Sequence, residues 1–241
     1  RTVFEDSKGH LLIGTYIGIQ MYDPATDNFT PLAKLEDTGE TLESNINSFI
    51  ERKNGEIWVS GNVLCKLDIK DHLLTVRKVD IAVTSPGSLF EDKKQNVWMA
   101  KGEEGVYQLT PDNQLTLHLS KDNGYVKSIC EDQRGNIYVG SIRKGLFIYD
   151  KERKTFVPVD LKEKGELPVC FLYSGPQNEL YIGTDGKGMS VYNNQTHEIS
   201  EYNFDNNYFD SKNSKIHSIL KDNSGNLWLA VYQKGVMQIP A

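Results

Sequence analysis

The chain has 241 residues, with 27 Lys and Arg against 33 Asp and Glu, for a formal net charge of −6. That balance lacks the basic footprint of a nucleic-acid binder, so no nucleic-acid contact is expected. No apolar run approaches the roughly 20 residues of a membrane-spanning helix, so no membrane segment is expected within this sequence.

A six-residue cassette recurs along the chain. It starts at Gly9 (GHLLIG), Gly55 (GEIWVS), Gln95 (QNVWMA), Gly135 (GNIYVG), Asn178 (NELYIG) and Gly225 (GNLWLA), at spacings of 46, 40, 40, 43 and 47 residues. A period in this range marks a repeat architecture. The copy at 126–156 shows the unit. Residues 126–132 alternate in polarity and read as a first strand. Asp132-Gln133-Arg134-Gly135 reads as a tight turn, in which Asp bonds the backbone ahead of it and Gly accepts a positive φ. Residues 137–140 make a second strand, 141–144 a polar loop, 145–149 a third strand, and the chain turns into a fourth around Phe156. Four short antiparallel strands in about 40–45 residues make one propeller blade.

In chain order the blades fall at 3–32, 46–79, 87–119, 126–159, 169–202 and 216–240, joined by polar connectors, and the last stops after its third strand. The expected fold is therefore all-β. It is a β-propeller domain with six visible four-stranded blades, the last incomplete, forming part of a seven-bladed propeller. Since the sequence opens at Arg1 inside a first strand and stops at Ala241 just after a third strand, it is expected to be a piece of a larger protein. The turn Asp recurs as Asp6, Asp92 and Asp222, while Arg52 and Gly175 replace it. A glycine opens strand three at Gly18, Gly105, Gly145, Gly188 and Gly235. Trp58, Trp98 and Trp228 share one cassette position, held elsewhere by Tyr138, Tyr181 and Leu12. An aromatic repeated in this way is expected to pack blade against blade rather than to stack on a ligand. Cys65, Cys130 and Cys170 have no CxxC pairing and read as buried free thiols.

Up-and-down topology places the loops between strands two and three on the same face as the crossovers between blades. These loops vary while the scaffold repeats, so this is the candidate binding face. The candidate ligand-binding set is Tyr16, Lys101, Glu104, Arg143, Asp185, Lys187 and Tyr232, with Glu103, Lys144, Gln233 and Lys234 beside them. Charged groups give directional hydrogen bonds and tyrosines an apolar platform, which suits a hydroxyl-rich ligand. Tyr16, Arg143, Asp185 and Tyr232 read as equivalent blade positions. No catalytic residue, metal ligand or cofactor motif stands out. The five histidines lack HxH or HExxH spacing, and neither Asp185-Gly186-Lys187-Gly188 nor the Asn/Asp-rich connector at 203–215 has the spaced acids of a calcium loop.

The repeat resembles the two-component regulator propeller family. Its pattern is an apolar strand, Asp-x-x-Gly-Asn-Leu-Trp-Ile-Gly-Thr, a short loop, then Gly-Leu and Tyr-Asp, best matched by residues 132–150, 222–239 and 6–23. The departures at Arg52, Gln95, Gly175 and Asn178 weaken single turns. The resemblance implies the first propeller of a periplasmic sensor region in a Bacteroides-type hybrid two-component histidine kinase. A second propeller and a β-sandwich would adjoin it in a receptor homodimer. It implies an oligosaccharide ligand, control of polysaccharide-utilisation genes, and no enzymatic activity in this segment. Two other readings are a propeller enzyme acting on polysaccharide, as a lyase or glycosidase, and a structural interaction platform.

Overall fold

The computed structural model describes residues 1–119, 124–161, 167–204 and 209–241. Parts of the connectors at 120–125, 160–168 and 203–215 therefore lie outside the described residues. The described residues form strands and turns with no helix, and they build a six-bladed β-propeller whose last blade has three strands. By contact the chain divides into two compact units, Arg1–Met99 with Leu109–Leu115 and Ala100–Gln108 with Thr116–Ala241.

In the first unit, β1 (Thr2–Glu5), β2 (Leu11–Gly14), β3 (Ile19–Asp23) and β4 (Asn28–Phe29) form the first sheet. The second sheet holds β5 (Lys34–Leu35), β6 (Ser48–Glu51), β7 (Ile57–Ser60), β8 (Leu64–Lys70) and β9 (Leu73–Lys78). Here β5 comes from what the sequence reads as a polar connector; it pairs parallel to β9 and gives this blade a fifth strand. The third sheet comprises β10 (Leu89–Glu91), β11 (Val97–Lys101), β12 (Gly105–Leu109) and β13 (Leu115–Leu119), and the division between the units runs through it. The remaining sheets belong to the second unit. They are β14 (Val126–Glu131) to β17 (Thr155–Pro158), β18 (Val169–Ser174) to β21 (Glu198–Glu201), and β22 (Ile216–Lys221) to β24 (Gly235–Ile239). Between them come β15 (Ile137–Ser141), β16 (Gly145–Asp150), β19 (Glu179–Thr184), β20 (Met189–Asn193) and β23 (Leu227–Val231).

Each cassette forms the second strand of its blade, and these strands carry the core. β15 is buried at every position, since a strand sandwiched between neighbouring sheets presents apolar residues on both faces. Its Tyr138 lies opposite Cys130 on one side and Ile148 on the other. That face packs with Leu146, Val169, Leu172, Leu180 and Ile182, so the fourth and fifth blades share one core. The glycine ending the cassette permits the fit: a Cβ on Gly140 would stand 2.4 Å from Val169 Cγ1. The three cysteines are buried thiols. Burial pushes Cys65 up to about 11, with the charge of Lys78 pulling the other way.

The turn acids do more than hold the backbone. Asp92 Oδ1 accepts the amides of Lys94 (2.8 Å) and Asn96 (2.9 Å), while Oδ2 accepts Asn96 Nδ2 and Trp98 Nε1, both at 2.8 Å. Asp222 repeats the arrangement with Ser224, Asn226 and Trp228. Trp98 and Trp228 are thus packing residues whose polar edge closes the preceding turn, whereas Trp58, preceded by Arg52 at the turn, donates to Glu56. Trp58 and Trp98 are buried, at 4% and 1% exposure. Trp228 is half-buried, because the face of the last sheet around it, with Leu220 and Val236, is exposed. At the fourth turn position Gln95 adopts the left-handed φ of +66°, where the fifth blade has Asn178 at +63° and the other four have glycine. Gly105 and Gly188 open strand three at positive φ, and a Cβ on either would fall within 1.5 Å of the carbonyl oxygen of Leu119 or Ser211.

Candidate functional site

The two–three loops are short and tied into the backbone of the blades. In the second unit the amides of Ile142, Asp185 and Tyr232 donate to the carbonyls of Tyr125, Pro168 and Lys215, each just before the first strand of the same blade. Counted from the cassette, Ile142, not Arg143, is the counterpart of Tyr16, Asp185 and Tyr232. Arg143 sits one residue further along, so its alignment with those three is corrected. The loops also reach the next blade: Val126 N donates to Gly102 O, Ile46 N to Thr15 O, and Asp185 bridges to Lys215.

Part of the candidate set converges. Lys215 Nζ lies 2.9 Å from Asp185 Oδ1 and 5.7 Å from the centre of the Tyr232 ring, and His217 stacks on that ring at 5.2 Å. The Asp185 hydrogen bond raises the pKa of Lys215, so the ammonium stays charged. The result is a continuous strip of an acid, a cation and two rings. Tyr232 is 49% exposed. Neither Lys215 nor His217 belongs to a two–three loop. Lys215 precedes β22, and His217 points outward from it between buried Ile216 and half-buried Ser218. The outward register of first strands was the available signal, and a reading confined to loops passes over it.

The other candidates form smaller groups. Arg143 Nη1 pairs with Glu103 Oε1 at 2.7 Å, joining neighbouring loops of the second unit, with both side chains more than 60% exposed. An ion pair so exposed contributes at most about 1 kcal/mol, leaving both groups available to a ligand. Lys101 Nζ pairs with Glu104 Oε2 at 2.8 Å. Lys187 is separated from Asp185: it lines a cavity of about 340 Å³ with Ser190, Glu201, Tyr202, Ser211 and Lys212. Tyr16, in the first unit, is 73% exposed, and the guanidinium of Arg1 lies 4.7 Å from its ring centre. Among the described residues no group of three or more His, Cys, Asp and Glu is placed to hold a metal ion. Among the described residues there is no helix long and apolar enough to cross a membrane.

Repeated four-stranded sheets bearing a strip of charged and aromatic loop residues define a β-propeller repeat protein. Residues 120–143 and 210–233 match the model of the two-component regulator propeller family. No curated protein matches the chain significantly. Among solved structures, the chain is similar to the extracellular domain assigned to the hybrid two component system BT3049 from B. thetaiotaomicron, at 18% identity and a TM-score of 0.79, covering 98% of this chain and 33% of that one. It is also similar to a catalytically inactive virginiamycin B lyase from Staphylococcus aureus, at 12% identity and a TM-score of 0.74, covering 99% and 79%. A third likeness, at 15% identity and a TM-score of 0.74, is to PorZ, a surface component of the type-IX secretion system of Porphyromonas gingivalis, covering 99% and 38%. At these identities the likenesses establish the fold. The chain spans about a third of the BT3049 extracellular domain.

Proposed function

We propose that this chain is an extracytoplasmic, periplasmic sensor propeller of a hybrid two-component receptor. It responds to an oligosaccharide and thereby regulates polysaccharide-utilisation genes, and it performs no catalysis itself. The observation that carries the reading is the match of two stretches to two-component regulator propeller repeats. The loop strip supports the ligand class, since a flat ring beside a paired acid and cation suits a sugar, one face of which is apolar and whose edge is hydroxyl. In this reading Asp185, Arg143, Lys101 and Glu104 bond hydroxyls, Tyr16 and Tyr232 are platforms, and Lys187 contributes from its separate cavity.

The same reading assigns the exposed face of the last sheet to a further blade. Leu220, Trp228 and Val236 hold the registers of Cys130, Tyr138 and Leu146, which in the fourth blade are buried against a neighbour. A second propeller, a β-sandwich and a homodimeric receptor complete the proposed assembly.

The test is kinase-driven reporter output in cells carrying the intact receptor. Arg143→Ala and Asp185→Ala, made together with expression preserved, are expected to shift the dose–response to higher oligosaccharide concentration without loss of maximum. An unchanged curve would show that this face is not the ligand site, and a lost maximum at unchanged half-response would place the residues in transmission. The fold likeness to a lyase motivates a second reading, a propeller enzyme; product formation from oligosaccharide by the purified protein would favour it.

A further inference from the structure

The second blade departs from the repeat at two adjoining places, and a cleft opens there. In the fourth blade the row across the sheet from the cassette aromatic reads Tyr138, Ile148, Val157, and in the fifth it reads Tyr181, Val191, Ser200. In the second blade the same row reads Trp58, Lys66, Arg77. Two cations directly opposite across an antiparallel pair repel each other, so this arrangement costs stability where the other blades gain it from neutral contacts. At the turn below, Arg52 replaces the acid. These residues line a cleft of about 690 Å³, closed on its other side by Gln95, Val97, Leu109 and Pro111, all within the first unit.

Most of the charge around the cleft is internally matched. Arg52 Nε pairs with Glu91 at 2.8 Å and lies over the Trp58 ring at 4.6 Å. Lys66 Nζ pairs with Glu56 at 2.6 Å, and Glu56 also accepts Trp58 Nε1 at 3.0 Å. Burial alone would raise the pKa of Glu56. The hydrogen bonds from Lys66, Trp58 and Asn54 outweigh that and hold it at about 2, so it remains an anion spent on Lys66. Asp80 also lines the cleft. Arg77 and Lys78 are the less closely matched cations of the lining: Arg77 Nε stands 3.9 Å from Glu36 with its side chain 67% exposed, and Lys78 follows it in the same strand. A guanidinium with a loosely held partner, beside an ammonium and facing apolar Leu109 and Pro111, is a receptor for an anionic group mounted on a ring. The planar fork of Arg77 matches an oxyanion in two-point contact.

We infer that this cleft binds a ring-bearing oxyanion, with Arg77 holding the carboxylate, sulfate or phosphate beside the Glu56-paired Lys66 and Pro111 lying against the ring. A cleft of this volume accommodates a ligand of about two to three rings. The site is distinct from the loop strip and does not depend on the sensor reading.

The test is calorimetric titration of the purified chain with four probes: trigalacturonate, its neutral methyl ester, glucose 6-sulfate and glucose 6-phosphate. Saturable binding is expected for at least one charged probe, and which one binds identifies the anion. The methyl ester should bind at least about tenfold more weakly than trigalacturonate, and Arg77→Gln should weaken the charged probe by a similar factor, as the loss of a charge-assisted bond does. The double variant Lys66→Leu, Arg77→Val rebuilds the neutral row of the fourth blade. It should keep or raise the urea midpoint while abolishing binding, which separates loss of the site from loss of the fold. Absence of saturable binding by all three charged probes, equal binding of the ester and the acid, or binding retained by the double variant would each overturn the inference.

Discussion

Replacing Asp92 by alanine removes one carboxylate that accepts four hydrogen bonds. Two of the donors, the amides of Lys94 and Asn96, belong to the turn backbone, and water reaches that turn through exposed Lys93, Lys94 and Gln95. The other two donors are harder to rescue, because Asn96 is 8% exposed and Trp98 1% exposed. Leaving a buried donor without an acceptor costs about 1–3 kcal/mol each, and the lost backbone cap adds about 1 kcal/mol, for a total of about 3–7 kcal/mol. Asp222→Ala is the internal control. It removes the same network in the last sheet, where Asn226 and Trp228 are half-buried and water replaces the carboxylate, so its cost should be clearly smaller. Urea unfolding followed by far-ultraviolet circular dichroism measures both, without relying on the fluorescence of the tryptophans under test. A loss below about 1 kcal/mol for Asp92→Ala, or a larger loss for Asp222→Ala, would refute the claim that the turn acid and cassette tryptophan act as a buried unit.

Three further outcomes are expected. Gly140→Ala drives a Cβ to 2.4 Å from Val169 Cγ1 and should cost about 1–3 kcal/mol by overpacking, most of it recovered in the double variant with Val169→Ala; a thermodynamic cycle measures the coupling. Gln95→Gly relieves a left-handed residue at φ +66° and should raise the urea midpoint, by up to about 1 kcal/mol in stability. Glu56, held at about 2 against an ordinary 4.5, contributes stability that is fully present above about pH 4.5 and lost as pH falls through 2. Because a third of its side chain is exposed, solvent screening reduces that contribution to about 1 kcal/mol; urea midpoints between pH 5 and 2 should fall less steeply in Glu56→Gln than in the parent chain.

The repeat made most of the fold legible. A cassette at near-constant spacing locates the second strand of every blade, and Asp132 with Gly135 marks a turn through local backbone chemistry that any reader of sequence can recognise. Partnerships between distant residues were less accessible. The indole of Trp98 finds Asp92 because a two-residue strand period and a tight turn bring them to one point, and the repeated aromatic by itself indicated only burial. The strip around Tyr232 was half visible. The loop residues stood out as departures from the repeat, whereas Lys215, just before β22, and His217, within it, share an outward register that emerges once Ile216 is known to point inward. The strand β5 was hidden because only two residues of connector pair with β9, and a single apolar Leu35 packed on the core is too short a pattern to detect. Lys187 parted from Asp185 for a related reason: the left-handed Gly186 and Gly188 turn the loop between and after them.

The loops between strands two and three are also fasteners. Thr15 and Gly102 each hold the first strand of the following blade by a backbone hydrogen bond, and Asp185 grips Lys215 by backbone and side chain together. A molecule that pulls on one of these loops therefore strains a joint between neighbouring sheets, and the force it exerts passes into the backbone without needing a flexible hinge. Infrared or hydrogen-exchange measurements on the amides of Ile46 and Val126 would register a load applied at the loops before any side chain elsewhere had moved.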